Sequence, residues 1–395
     1  MLRRTLFLEK CRQLLRLEEF KEQVFAGLDS LVAEALDRAL ESRELSVEEA
    51  EVLLSTLGPE FQVLLMVADW VRRRRVGETV TFVINRNINF TNVCQVRCGF
   101  CAFSRPPHAS DAYLLRPQTI AERAAEAWKA GATEICLQGG IHPEIGFEYY
   151  TEVLRVVKAR VPEVHTHAYS PMEVYYAAEK AGIDVGEALK ALRETGLDSM
   201  PGTAAEILDD RVRAVLCPRK LSVERWVEVM KAAHRLGIPT TSTMMYGHVD
   251  SARHRAEHLA LLRSLQKETG GFTEFVPLSF IHPNTPIYLE GLAKAGATGL
   301  EDLKLHAVAR LMLQGWVDNV QASWVKLGPK LAQAALYAGA NDLGGTLMEE
   351  NISRAAGATA GQHMPASEFI RTIRDAGRIP AQRTTTYQII KVFKK

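Results

Sequence analysis

From Thr79 onward the chain alternates short β-branched or apolar runs with amphipathic segments, and no other feature restricts its fold as much. Such runs read as strands, the segments between them as helices, and the alternation as repeated βα units around a parallel sheet. Eight candidate strands begin near Val80, Thr133, Val164, Asp198, Pro239, Thr273, Val317 and Asn341. Six of the intervening helical segments end on glycine just before the next strand, at Gly131, Gly196, Gly237, Gly270, Gly315 and Gly339. Glycine there supplies the left-handed conformation that stops a helix and turns the chain back to the sheet. Eight such units predict an α/β fold of the closed (β/α)8 TIM type rather than an open doubly wound sheet. The interval from Val80 to Thr133 is the longest, so an enlarged loop is expected after the first strand, at the barrel end where catalytic loops lie.

The barrel is expected over residues 79–350. Residues 1–78 read as a helical segment: Leu14, Leu15 and Leu17 continue toward Phe20, and Ser46 with Glu49 forms a capping box before an apolar run. Residues 351–395 read as a helical tail packed on the barrel, with an amphipathic stretch from Ala366 to Ala376 followed by a polar end through Gln382, Arg383 and Tyr387.

Forty-eight Lys and Arg against 47 Asp and Glu leave a net charge of +1, so no overall field attracts nucleic acid or an anionic membrane. Arg72 to Arg75 is the local exception, following the apolar stretch Phe61 to Val71. A grip on phosphates or a partner is one reading of that run. A solvated last helical turn, its cations facing the negative end of the macrodipole, is the reading preferred. No stretch approaches the roughly 18 apolar residues of a membrane span, and Met1-Leu-Arg-Arg is not followed by a signal-peptide core. A cytoplasmic protein is expected.

Three of the 6 cysteines fall in Thr91-Asn-Val-Cys-Gln-Val-Arg-Cys-Gly-Phe-Cys101, inside the enlarged first loop. Three thiolates on one short loop can each take one iron of a cubane and leave the fourth iron open to a ligand, whereas an electron-transfer cluster normally has four cysteines. A zinc site would want a fourth Cys or His at regular spacing, and the nearest downstream His is His108. Cys11, Cys136 and Cys217 stand alone and read as small buried hydrophobes.

Cys94-x-x-x-Cys98-x-Phe100-Cys101 resembles the signature of the radical S-adenosylmethionine (SAM) superfamily. The resemblance implies that Cys94, Cys98 and Cys101 hold a 4Fe–4S cluster, whose open iron is chelated by the amino and carboxylate groups of SAM. It further implies one-electron cleavage of SAM to methionine and a 5′-deoxyadenosyl radical. Gln138-Gly139-Gly140, at the end of the second strand, is similar to the superfamily's glycine pair for the methionine amino group, although Ile141 stands where an acidic residue often follows. Glu206, in Gly202-Thr-Ala-Ala-Glu, matches a position at which related barrels offer a carboxylate to the cofactor, and Ser170 is a similar candidate.

A longer resemblance runs from Thr79 to Tyr387. Asn85-Arg-Asn-Ile-Asn-Phe-Thr-Asn92, Pro201-Gly-Thr-Ala-Ala-Glu-Ile-Leu208, Met244-Met-Tyr-Gly-His248, Thr269-Gly-Gly-Phe-Thr-Glu-Phe-Val-Pro277 and Asn341-Asp-Leu-Gly-Gly-Thr-Leu-Met-Glu-Glu350 look like FO synthase subunit 2. That family also holds the menaquinone-pathway enzymes aminofutalosine synthase and dehypoxanthine futalosine cyclase. The resemblance implies transfer of the 4-hydroxybenzyl group of L-tyrosine to 5-amino-6-(D-ribitylamino)uracil in deazaflavin biosynthesis, with FO synthase subunit 1 as functional partner and a separate electron donor. A menaquinone-pathway enzyme is the nearest alternative, and a non-catalytic iron–sulfur sensor or electron carrier is the alternative of another class.

Such substrates call for polar groups at the barrel mouth. His248, Glu349 and Glu350 are the candidate catalytic residues, with His142, Tyr169, Tyr246, Gln321, Asp342 and Thr346 as further substrate contacts. Trp324 is a candidate for ring stacking or for core packing. His165 and His167, two apart on one strand, share a face and are expected to be satisfied core histidines rather than metal ligands.

Overall fold

A ring of parallel pairings closes on itself in the computed structural model, which describes residue 21 and residues 23–394. Cys11 and the stretch from Leu14 to Phe20 lie outside the described residues. The first barrel strand is split into β1 (Thr79–Val83) and β2 (Asn85–Asn89). It is followed by β3 (Glu134–Gln138), β4 (His165–Ala168), β5 (Thr240–Tyr246), β6 (Phe272–Ser279) and β7 (Asp342–Gly345). β2 pairs with β3, β3 with β4, β5 with β6, and β7 with β1. The two remaining positions are single bridges, His167 to Ser199 and Met200 to Thr240 in one, Phe275 to Val320 and Gln321 to Asp342 in the other.

Both reduced strands have a local cause. Pro201 follows Met200 and has no N–H to continue a ladder. At the other, side-chain amides replace ladder partners: Asn341 Oδ1 accepts from Val320 N–H at 2.9 Å, and Asn319 Nδ2 donates to Thr273 O at 3.0 Å. β5 is buried along its whole length, as a strand covered on both faces must be. The six helix-ending glycines all have positive φ, between 67° and 118°.

Among the described residues the helices Ser30–Leu40, Val47–Ser55 and Gly58–Val76 lead into the barrel, and the second of these carries the expected Ser46–Glu49 capping box. Arg73, Arg74 and Arg75 form the exposed last turn of the third of these helices, as expected, whereas Arg72 departs from that reading and none of the run is a free basic patch. Arg72 is wholly buried and donates from Nε to Asp69 at 2.8 Å, Arg74 reaches Leu40 O at 2.9 Å, and Arg75 grips Asp318 with Nη2 at 2.7 Å. These contacts tie the third helix to its neighbours and to the barrel. No helix among the described residues is long and apolar enough to cross a membrane.

The C-terminal segment corrects the expectation of a helical tail. After the helix Ala366–Asp375 the chain forms β8 (Ile379–Arg383), which runs parallel to β1 with Thr79 opposite Ile379 and Phe82 opposite Gln382. β9 (Ile389–Val392) then pairs antiparallel with β8. Phe82 stacks on Phe369 at a centroid distance of 5.2 Å, which anchors the helix as well. Arg383 and Thr385, read from sequence as part of a polar tail, are buried and line the barrel lumen.

Candidate functional site

The cysteine loop leaves the carboxyl end of β2 and is held by backbone hydrogen bonds. Cys94 N–H donates to Arg105 O at 3.0 Å, Gln95 N–H to Ile141 O at 2.9 Å, Gly99 N–H to Leu216 O at 3.0 Å, and Cys101 N–H to Cys98 O at 3.0 Å. Cys94, Cys98 and Cys101 line one cavity of about 230 Å³. Backbone N–H groups of Phe103 and Ser104 point at the Cys101 sulfur. No three His, Cys, Asp or Glu side chains among the described residues converge as on a single ion. Cubane ligands each reach a different iron and need no such point, so three thiols facing one cavity, with backbone donors on one sulfur, suit a cluster.

Gly139 and Gly140 face the loop for a steric reason. A Cβ on Gly139 would lie 2.4 Å from the Phe90 ring, and one on Gly140 would lie 2.2 Å from Val93 O and 2.8 Å from Cys94 Cβ. The pair therefore lets the cysteine loop pack against the end of β3. Gln138 and both glycines line the cavity, as do Ser170 and Glu206. Ser170 is the N-cap of the helix Pro171–Ala181 and bonds its hydroxyl to Glu173 Oε2 at 2.6 Å.

Glu173, which the sequence reading passed over, joins these pieces. Its carboxylate accepts Gly139 N–H at 3.0 Å and Ser170 N–H at 2.7 Å. Burial pushes its pKa up to about 7 against the opposing pull of those hydrogen bonds. The Ser170-Pro-Met-Glu173 capping box was the available signal. Glu206 is buried and pairs with Lys220; burial opposes ionisation, and the Lys220 charge and hydrogen bond override it, holding the carboxyl below its ordinary range. The Lys220 ammonium also lies 5.2 Å from the Phe100 ring centroid, inside the cysteine motif.

A second cavity, about 270 Å³, occupies the barrel lumen and shares Gln138, Thr203, Leu278, Lys326 and Ile352 with the first. Polar side chains are set into its wall. Glu350 is buried, accepting from Asn87 Nδ2 at 3.1 Å and from Ser353 N–H at 2.6 Å. Gln321 donates to Glu274 at 3.1 Å. Burial pushes Glu274 up to about 7, although Arg383 pulls the other way. His167 shares the Ser199 hydroxyl with His165, both at 2.7 Å, and burial lowers its pKa to about 4, so the ring is neutral near pH 7. Both histidines are satisfied within the barrel, as expected. Trp324 lines the lumen but is 2% exposed and spends its indole N–H on Gly345 O at 2.9 Å.

Several expected site residues are elsewhere. His248 is fully buried and lines neither cavity; its Nε2 bonds Met245 O at 2.9 Å and its Nδ1 accepts Val249 N–H at 2.7 Å, so the ring folds back on its own turn. Glu349 also lines neither cavity and is held outside by Arg86 and by Arg123 at 3.3 Å. Tyr169 and Tyr246 are buried, donating to Tyr150 O at 2.8 Å and to Asp302 at 2.6 Å. His142 accepts Glu144 N–H at 3.1 Å, Asp342 holds Arg383 at 2.5 Å, and Thr346 bonds Asn85 O at 2.7 Å; none of the three lines either of these two cavities. Of the isolated cysteines, Cys217 is buried in the apolar core, as expected, and is in hydrogen-bonding contact with Cys98, whereas Cys136 departs from expectation by facing the lumen.

Lys326 belongs to both cavities and was likewise missed. It follows the seventh strand position in Ser323-Trp-Val-Lys326, where nothing in the local pattern marks it. Its ammonium makes no hydrogen bond or ion pair with any described residue. Burial lowers its pKa, while Glu350 and Glu206 act in the opposite direction through space.

A closed parallel barrel with three cysteines on its first top loop and a cavity beside them defines a radical SAM protein, and the radical SAM superfamily matches residues 88–262. The CofH/MqnC C-terminal region matches residues 269–395. The chain is 56% identical over 347 residues to the 5-amino-6-(D-ribitylamino)uracil–L-tyrosine 4-hydroxyphenyl transferase of Methanothermobacter thermautotrophicus, covering 88% of this chain and 95% of that one. It is 58% identical over 330 residues to the protein of the same name from Methanopyrus kandleri, covering 84% and 89%. The chain therefore belongs to the 5-amino-6-(D-ribitylamino)uracil–L-tyrosine 4-hydroxyphenyl transferase family. Methylornithine synthase superposes with a TM-score of 0.68 over 88% of this chain and 97% of its own, at 20% identity, a likeness of fold alone.

Proposed function

We propose that this chain joins the 4-hydroxybenzyl group of L-tyrosine to C5 of 5-amino-6-(D-ribitylamino)uracil, in the biosynthesis of the deazaflavin FO. The observation that carries the reading is the junction, through Gln138, Thr203 and Lys326, of the cysteine-lined cavity with a lumen into which polar side chains are set. Cys94, Cys98 and Cys101 would hold the 4Fe–4S cluster, and Gln138, Gly139, Gly140, Ser170 and Glu206 line the space beside it for SAM. When bound, the pair supplies an adenosyl radical able to take a hydrogen atom from the amino acid.

The chain's own residues position and protect. Glu173 fixes Gly139 and the start of the following helix, and so sets the cavity wall. Glu350, Gln321, Glu274 and Gln138 offer hydrogen-bond partners to a substrate rich in hydroxyls and ring amides. Of the three residues first considered catalytic, only Glu350 reaches the lumen, and we assign it to substrate binding. The tyrosine Cα–Cβ bond breaks and a bond to the uracil C5 forms, leaving 2-iminoacetate. One cysteine triad serves one radical reaction, so ring closure to FO falls to FO synthase subunit 1, and a cytoplasmic electron donor supplies the reducing electron.

The test is a product assay with anaerobically reconstituted, reduced protein, SAM, tyrosine and the ribitylaminouracil. The expected product carries the label of ring-deuterated tyrosine in the uracil adduct. Cofactor cleavage without that adduct, and with consumption of a menaquinone precursor, would refute the reading.

A further inference from the structure

We propose that Lys326 is the subsite for the α-carboxylate of the amino-acid substrate, an inference that rests on the function proposed above. The charged side chains lining the two cavities are otherwise matched. Lys220 pairs with Glu206, and Arg383 with Asp342 at 2.5 Å. Glu173 is satisfied by N–H donors, Glu134 accepts from Asn85 at 2.8 Å, Glu350 from Asn87 at 3.1 Å, and Glu274 from Tyr387 at 2.5 Å. The neutral His167 adds no charge. Among the described residues that line these cavities, Lys326 is the cation left without a hydrogen-bonded or ion-paired partner.

An ammonium removed from bulk water and given no anion is costly, and a ligand that brings one recovers the loss. Of the two substrates only the amino acid carries a carboxylate; the ribitylaminouracil is uncharged and suits the hydroxyl- and amide-binding wall. The position agrees as well. Lys326 stands on the rim that the two cavities share, so a carboxylate held there puts the amino acid between the cysteine loop and the lumen, between the group it must react with and the acceptor it must reach.

SAM also carries a carboxylate, and the experiment separates the two sources. Reconstituted wild-type enzyme is compared with Lys326→Met and Lys326→Gln, each checked for iron content. The expected result is a rise in KM for tyrosine of roughly 10- to 100-fold, the range for loss of a hydrogen bond to a charged group, with KM for SAM unchanged. Equilibrium dialysis should show the wild type preferring 3-(4-hydroxyphenyl)propanoate, which keeps the carboxylate, over tyramine, which lacks it, and both variants losing that preference. Lys326→Arg should recover part of the tyrosine affinity. A rise in KM for SAM alone would move Lys326 to the cofactor and overturn the proposal. So would an unchanged tyrosine KM, or equal losses for both ligands, which mark a structural role. A wild type that consumes no tyrosine defeats the functional reading itself, whereas a competent wild type with indifferent variants defeats the subsite alone.

Discussion

Gly140→Ala tests whether the glycine pair exists to admit the cysteine loop. The added methyl would sit 2.2 Å from Val93 O and 2.8 Å from both Val93 C and Cys94 Cβ. Ordinary contact demands more than 3 Å, so relief takes a movement of roughly 1 Å. None of these atoms is the free end of a flexible side chain. The loop is pinned on either side, by Cys94 N–H to Arg105 O at 3.0 Å and Gln95 N–H to Ile141 O at 2.9 Å, so Cys94 must move with it. Overpacking of this kind costs about 1–3 kcal/mol, and an error of about 1 Å in a reacting assembly lowers rate by about 100-fold. The expected variant folds, loads less iron after anaerobic reconstitution, and cleaves SAM about 100-fold more slowly. Gly131→Ala is the control: its φ is +90° with nothing within 4 Å of the new methyl, so it pays about 1–2 kcal/mol of backbone strain and keeps full iron and full cleavage. Full iron and wild-type cleavage in Gly140→Ala would refute the steric argument.

Replacing any one of Cys94, Cys98 or Cys101 by Ala should abolish cluster absorbance and SAM cleavage, while Cys136→Ser keeps its iron; iron analysis and anaerobic absorbance spectra decide. Glu173→Gln should flatten part of the pH dependence of stability. Because burial raises the folded pKa to about 7, the native state holds a proton that the unfolded state has released; stability from this group is full below the ordinary glutamate value of about 4.5 and is lost as pH rises through 7. Denaturant unfolding at pH 5 and pH 7.5 should therefore show a smaller loss for the variant, by about 1–3 kcal/mol, and an equal loss would contradict the assignment. Arg383→Met leaves Asp342 buried without its cation, which should cost about 3–5 kcal/mol in the same measurement.

The barrel was legible because its determinants are local. Strand starts at Thr133, Pro239 and Thr273 lie within one residue of β3, β5 and β6, since a glycine-stopped helix followed by a β-branched or apolar run is written in consecutive residues. The cysteine triad was legible for the same reason. What escaped depends on distant partners. Ile379-Pro-Ala-Gln-Arg383 lacks the apolar alternation of a strand because its inward side meets a polar barrel floor instead of an apolar core. Arg72 reads as surface although its partners Asp69 and Glu78 are near in sequence, because the remote Arg378 that shares both carboxylates is brought there only by the fold. His248 shows the ambiguity of a polar residue after a strand: the same sequence permits a ring facing substrate or one turned back to its own backbone, and here the carbonyl of Met245 takes it.

That polar floor has a consequence for how the lumen works. Barrel interiors are ordinarily filled with layers of branched apolar side chains, which would leave a hydroxyl-rich substrate without partners. Here Asp342 and Glu274 occupy the interior instead, and two carboxylates so deeply placed need a counter-charge. The barrel strands supply none nearby. β8 does, by entering beside β1 and delivering Arg383 to Asp342 at 2.5 Å and to within 3.6 Å of Glu274, with Tyr387 stacked 4.0 Å beneath the guanidinium and bonded to Glu274. The same insertion therefore balances the charge and fills the floor with side chains. Gln321, Glu350 and Lys326 are left lining the open part of the lumen, on the side that meets the cysteine-lined cavity.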